Sequence, residues 1–116
     1  MTYDSSFAQH RLTQLTEQLL SDTSVSGNII FFADEEDGRV CGATWQFEDE
    51  DHSLLKDSDF TYMLMELLDV LIRYRASHGV TDTLNGIIQM DKSVPDIQWL
   101  TVSEAEKRRG SLTPTV

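Results

Sequence analysis

Apolar residues recur at helical spacing between Phe60 and His78, and the rest of the chain is arranged around that stretch. Phe60, Leu64, Leu67, Leu71 and Tyr74 fall on one stripe. Met63, Leu68, Val70 and Ile72 widen the stripe until only Glu66, Asp69, Arg73 and Ser77 clearly favour water. Such a helix is buried over most of its circumference. Asp57, Ser58 and Asp59 offer an N-cap and negative charge at its start, and Arg73, Arg75 and Gly79 suit its end. At about 1.5 Å per residue the segment nearly matches a bilayer. Glu66, Asp69, Arg73 and Arg75 argue instead for the central helix of a small soluble core.

On either side the pattern shortens. Residues 5–21 predict a first helix with Phe7, Ala8, Leu12, Leu15, Leu19 and Leu20 on one face and Asp4, Ser5 or Ser6 as its cap. The polar run from Ser21 to Gly27 is a loop. Residues 28–33 and 39–47 read as two strands joined at Asp37-Gly38, with Cys41, Ala43, Trp45 and Phe47 facing the core. Residues 48–59 read as an acidic connection containing Leu54 and Leu55. Past Gly79, residues 83–90 and 96–102 form a second hairpin around residues 91–95, because Pro95 lacks the N–H that a central strand needs. Ser103 and Glu106 have capping-box spacing and would open a short helix ending near Arg109, stopped by Gly110. The order α-β-β-α-β-β-α predicts an α+β two-layer sandwich: a four-stranded antiparallel sheet of two hairpins covered by helices. Residues 1–110 form the single domain, with 111–116 as a flexible tail.

Charge changes this picture more than composition does. The 116 residues carry a net charge of −11. Residues 1–72 hold fifteen acids against Arg11, Arg39 and Lys56, whereas residues 73–116 hold five acids against six bases. A field of that sign repels nucleic acid and anionic membrane and favours basic partners; solubility alone also accounts for it. The lone Cys41 excludes an internal disulfide framework. The start, Met-Thr-Tyr-Asp-Ser-Ser, lacks the basic-then-apolar pattern of a signal peptide, which points to a cytoplasmic protein.

Two acidic runs, Asp34-Glu35-Glu36-Asp37 and Glu48-Asp49-Glu50-Asp51, bracket the second strand. That strand spans about 30 Å at about 3.3 Å per residue, so the runs lie at opposite ends and cannot share one metal. Neither has the Asp-x-Asp-x-Asp-Gly pattern of a calcium loop. They are either a solvated turn and connection or, with Asp57 and Asp59, patches that dock a basic partner. His10, His52 and His78 lack metal-ligand spacing, and His78 suits a helix C-terminus. Cys41 reads as a small buried filler. Glu66 and Asp69 are the only acids in the apolar company that acid–base catalysis needs, and both can simply point outward. Lys107-Arg108-Arg109 is too small a cluster for nucleic acid in this acidic chain and would pair with its own acids. Trp45 and Trp99 are core residues or, where exposed, interface anchors. No catalytic residue, metal ligand or cofactor is assigned.

Leu12-x-x-Leu15-x-x-x-Leu19-Leu20, Asn28-Ile-Ile-Phe-Phe-Ala-Asp34, Met65-Glu-Leu-Leu-Asp-Val-Leu-Ile72 and Leu84-Asn-Gly-Ile-Ile-Gln-Met-Asp91, in that order, give an arrangement that resembles the YezG-type immunity (antitoxin) proteins of bacterial polymorphic toxin systems. The resemblance covers most of the chain as a pattern and carries over no individual site residue. It implies a cytoplasmic inhibitor that binds a cognate toxin stoichiometrically, with no catalysis. A basic, nuclease-type toxin is a natural target, since carboxylates can stand where substrate phosphates go. Two other readings remain open at this point. One is an acidic secretion chaperone of the type III effector kind, expected to be a dimer with a further strand before the central helix. The other is a small enzyme with convergent polar residues in a cleft. Monomer and dimer are equally open.

Overall fold

The computed structural model describes residues 6–20, 23–34, 36 and 39–112, the last four without their side chains. Along the chain lie α1 (Phe7–Leu20), β1 (Gly27–Asp34), β2 (Arg39–Phe47), α2 (Asp49–Asp57), α3 (Phe60–Ser77), β3 (Asn85–Asp91), β4 (Val94–Leu100) and α4 (Val102–Leu112). The strands form one antiparallel sheet in the order β2-β1-β3-β4, giving the α+β fold that the hydrophobic pattern predicts. Each hairpin pairs locally, and β1 with β3 joins them.

The sheet's inner face packs against α1, α2 and α3. Ile29, Phe31 and Ile88 share a core there with Leu12 of α1, Leu55 of α2 and Leu64, Leu68, Leu71 and Ile72 of α3. The other face has a smaller core of its own, where Ile30, Ile87 and Leu100 are closed over by Ala105 of α4. The middle of the two central strands is therefore buried on both faces. That accounts for the unbroken apolar run Ile29-Ile30-Phe31, where a half-exposed strand would alternate.

The centre of the inner face is built around Gly86. It pairs with Phe31 on one side and Trp99 on the other. A Cβ at Gly86 would lie 2.6 Å from the Gln98 carbonyl oxygen and 2.7 Å from Cζ of Phe31, so the Phe31 ring occupies the space a side chain would fill. Trp99 meets Phe31 edge-on, with centroids 5.4 Å apart at 88°. The buried Arg75 guanidinium lies over the indole, 4.3 Å from its centroid. Arg75 also donates from Nε to the Thr83 carbonyl (3.0 Å) and from Nη2 to the Thr83 hydroxyl (2.6 Å), tying the last turn of α3 to the approach to β3. Gly79, at φ 83°, then ends α3, and the Val80 N–H returns to the Arg75 carbonyl.

Polar side chains fix which backbone groups each strand turns outward. The Ala33 N–H donates to Asn85 Oδ1 at 2.8 Å, so the odd-numbered residues of β1 face β3 and the even-numbered ones face β2. On β2 this leaves the N–H and C=O of Ala43, Trp45 and Phe47 pointing away from the sheet. On β4 the outward residues are Pro95, Ile97 and Trp99. Gln9 of α1 confirms that phase: its amide donates to the Pro95 carbonyl (2.8 Å) and accepts the Ile97 N–H (3.0 Å).

Several local expectations are corrected. Residues 49–57 form α2; its first turn carries Asp49, Glu50 and Asp51 at the positive end of the helix dipole, and Leu55 is its buried anchor. Pro95 lies inside β4 rather than in the turn, because its nitrogen faces outward where no donor is needed. The turn contracts to Lys92-Ser93, both at positive φ (49° and 63°), and Ser93 is held by the Val25 backbone and the Thr23 carbonyl. Cys41 is exposed, not a buried filler. A bulge pairs Phe32 with Gly42 but Ala33 with Val40, leaving Cys41 as the extra residue. The capping box is Thr101 with Glu104: the Thr101 hydroxyl accepts the Glu104 N–H (3.2 Å), and the Glu104 carboxylate accepts the Thr101 N–H (3.1 Å). α4 runs through Gly110 to Leu112, two residues into the expected tail, and residues 113–116 lie outside the described residues. The candidate caps Asp4 and Ser5 also lie outside them, whereas the Ser6 carbonyl takes the His10 N–H in the cap position.

Adding a methyl group at Gly86 should therefore destabilise, although alanine normally favours a strand over glycine. Gly86→Ala is expected to lose about 1–3 kcal/mol in urea unfolding by overpacking Phe31. Gly42→Ala, with nothing within 4 Å of its Cβ, should stay within about 0.5 kcal/mol of the parent.

The capping box predicts a pH dependence. Hydrogen bonds from the Thr101 N–H, then its hydroxyl, hold the Glu104 carboxyl below its ordinary value of 4.5, with Lys107 and Arg108 adding to them against a small opposing effect of burial. A depressed folded-state value means the contribution is present above 4.5 and fades as pH falls through the lower folded value. The difference in Tm between the parent and Glu104→Gln should shrink over that acid range.

Candidate functional site

The structure sorts the ten candidate acids by position in the fold. Asp34 ends β1 and accepts the Glu36 N–H at 2.9 Å, with Glu36 exposed beyond it. Glu35 and Asp37 lie outside the described residues. At the far end of β2, Glu48 is the N-cap residue of α2, Asp49 and Glu50 are exposed in its first turn, and Asp51 accepts the Ser26 N–H at 3.3 Å. Asp57 closes α2, and Asp59, at φ 65°, makes the left-handed turn into α3; both are exposed. α2, about 14 Å long at about 1.5 Å per residue, and the residues that flank it thus gather Glu48, Asp49, Glu50, Asp51, Asp57 and Asp59. The nine residues of β2 hold Asp34 and Glu36 apart from them.

Beside these acids the surface is apolar in places. Leu54 of α2 and Tyr62, Met63 and Val70 of α3 are exposed, Tyr62 to 65%. Acids rimming exposed apolar side chains give the mixed character of a protein-contact surface. Between α1 and α3 runs an open groove of about 290 Å³, with Leu15, Met63, Leu67 and Val70 along it and Arg11 and Glu66 as its charged residues. Glu66 accepts the Tyr62 hydroxyl; that hydrogen bond, and then the carboxylate's charge, raise the phenol above its ordinary value of 10.0.

The other polar candidates turn out to be braces. Asp69 accepts the Val40 N–H at 2.8 Å, and its second oxygen lies 3.7 Å from the Arg39 guanidinium, so it pins α3 to the start of β2. The His78 Nδ1 lies 2.7 Å from the Tyr74 carbonyl oxygen and so carries the hydrogen there, at the α3 C-terminus where a histidine suits the dipole. Lys107 and Arg108 act on Glu104 of their own helix. Trp99 is half-buried beneath Arg75, and Trp45 is half-buried beside Phe47, with centroids 6.4 Å apart. Among the described residues no three His, Cys, Asp or Glu side chains gather as a metal site, and no helix is long and apolar enough to cross a membrane.

Sequence reasoning missed four residues that organise this surface: Gln9, Asn85, Arg75 and Asp69 as a brace. A polar residue on an otherwise apolar face was the available signal for Gln9 and Arg75. Their partners, Pro95 and Thr83, lie on other elements and could not be named. Comparison with known proteins finds no family model, no curated protein and no solved structure that matches this chain.

Replacing the Glu66 carboxylate weakens or removes the two larger causes of the raised Tyr62 value and leaves only burial untouched. With Tyr3 and Tyr74 changed to Phe, spectrophotometric titration should place Tyr62 above 10.0 in the parent and closer to 10.0 in Glu66→Gln.

Proposed function

We propose that this chain is a stoichiometric inhibitor of the immunity-protein type, binding a basic protein toxin through the acidic surface of α2. The observation that supports this is the concentration of carboxylates there. Six acids between Glu48 and Asp59 are opposed only by Lys56, and all but the half-buried Asp51 are exposed. Leu54 is exposed on the same helix, and Tyr62 and Met63 on the first turn of α3. The dipole at the helix start accounts for some of these acids. Asp57 stands at the opposite end of α2, where negative charge opposes that helix's dipole, while Asp57 and Asp59, the N-cap residue of α3, also stand at the start of the next helix, where it is favourable. Negative charge retained at both ends of a short helix suits recognition of a cationic surface, with fast steered association.

The partner is to be sought by affinity purification from the native cell at moderate salt, and its toxicity tested with and without this chain. Charge reversal then tests the surface. Replacing Glu48, Asp49, Glu50 and Asp51 together by Lys should slow association at least about tenfold at low salt and flatten its salt dependence, since steering is a rate effect. An unchanged association rate would remove α2 from the interface.

A further inference from the structure

The two edges of the sheet are treated differently. On β4, Gln9 takes the outward Pro95 carbonyl and Ile97 N–H, and Pro95 has no N–H to offer, so that edge is capped over its first half and Trp99 alone keeps its outward N–H without a partner among the described residues. On β2, Asp69 takes only the Val40 N–H, at one end. The outward N–H and C=O groups of Ala43, Trp45 and Phe47 have no partner among the described residues. α2, which follows β2, is fastened on the β1 side, where Asp51 accepts the Ser26 N–H. An open row of alternating donors and acceptors is a template for one more strand.

The surroundings define that strand. Exposed Glu36 stands beyond one end of β2, and Glu48, Asp49 and Glu50 beyond the other. Arg39, the one cation along the row, lies against Asp69. The distance between the acidic ends is about 30 Å, the reach of about nine extended residues. Trp45 and Phe47 line the helix-covered side, and Thr44 and Gln46 the other, so an added strand meets apolar and polar neighbours alternately. A second copy is a poor occupant. Antiparallel self-pairing about Ala43, the middle of β2, would set Glu36 of one copy beside the Glu48–Glu50 run of the next, in a chain of net charge −11.

We propose that the β2 edge receives one extended segment of a basic protein partner as a fifth strand, with cationic side chains of that segment at both ends of the row. This rests on the acidic-surface reading above and adds the backbone groups that recognise the partner and the conformation it adopts.

A synthetic peptide of alternating valine and threonine, with a pair of lysines at each end, serves as the probe. On titration with it, hydrogen exchange at the Ala43, Trp45 and Phe47 amides should slow about tenfold or more, while Ile97 and Trp99 exchange as before. A version ending in glutamates should give no protection. Ala43→Pro removes one outward donor and no ladder bond, as Pro95 does on β4, and should weaken binding about fivefold or more. If that variant does not fold, the parent chain with a peptide N-methylated at alternate residues decides, and that peptide should not bind. Protection elsewhere, equal binding of the acidic peptide, or none at millimolar probe would overturn the proposal. So would a doubled mass in sedimentation with β2 amides protected in the absence of peptide, which would assign the edge to a second copy. A basic partner whose association depends on Glu48–Asp51 but is indifferent to Ala43→Pro would overturn the edge proposal and leave the acidic-surface reading standing.

Discussion

A side chain that is missing holds the core together. Gly86 leaves room on the inner face of the sheet for the Phe31 ring to lie across the neighbouring strand. Phe31 supports the edge of Trp99, and Trp99 supports the Arg75 guanidinium. Through Arg75 the end of α3 is fastened to Thr83. Three strands, the central helix and the connection between them therefore meet at one point. A buried guanidinium is tolerable there because an aromatic face and two oxygen acceptors replace its water. The apolar stripe of α3 supplies the bulk of the burial, and this junction sets where the helix stops against the sheet.

The sheet is finished by side chains sent out from the helices. Gln9 acts on β4 as a fragment of strand would, supplying one donor and one acceptor at the spacing of Pro95 and Ile97. Asp69 does half of that at Val40, and the Cys41 bulge breaks the ladder next to it. What remains of β2 is a short open edge with carboxylates at either end. Charge at the ends of an open edge discourages acidic copies of the same chain from pairing there, and does not discourage a cationic strand. This is the arrangement on which the proposed fifth strand rests.

The same acids play more than one part. Asp49, Glu50 and Asp51 sit where negative charge helps α2 start, and Asp51 also holds α2 to the chain before β1. Glu104 is consumed entirely by its capping box. Asp57 and Asp59 stand between α2 and α3, at the start of α3, where their charge suits that helix's dipole.

The amino-acid sequence by itself determined the α+β class, the two hairpins, the extents of α1 and α3 and the lopsided charge. Each rests on a period or a sum that neighbouring residues carry alone. Leu64, Leu67 and Leu71 mark a helix before any partner is known. The misreadings fall where tertiary context overrides a local rule. The segment Asp49–Asp57 is too short and polar to signal a helix until Leu55 finds the core. Pro95 is excluded from a strand only if its nitrogen must pair, and the ladder phase decides that it need not. Cys41 alternates with Ala43 in sequence, but a bulge imposed by pairing with β1 turns it out. Only the tertiary structure decided which edge is capped over part of its length and which is left open. That choice depends on hydrogen bonds such as Gln9 to Pro95, formed across 86 positions of sequence, and no local pattern contains them.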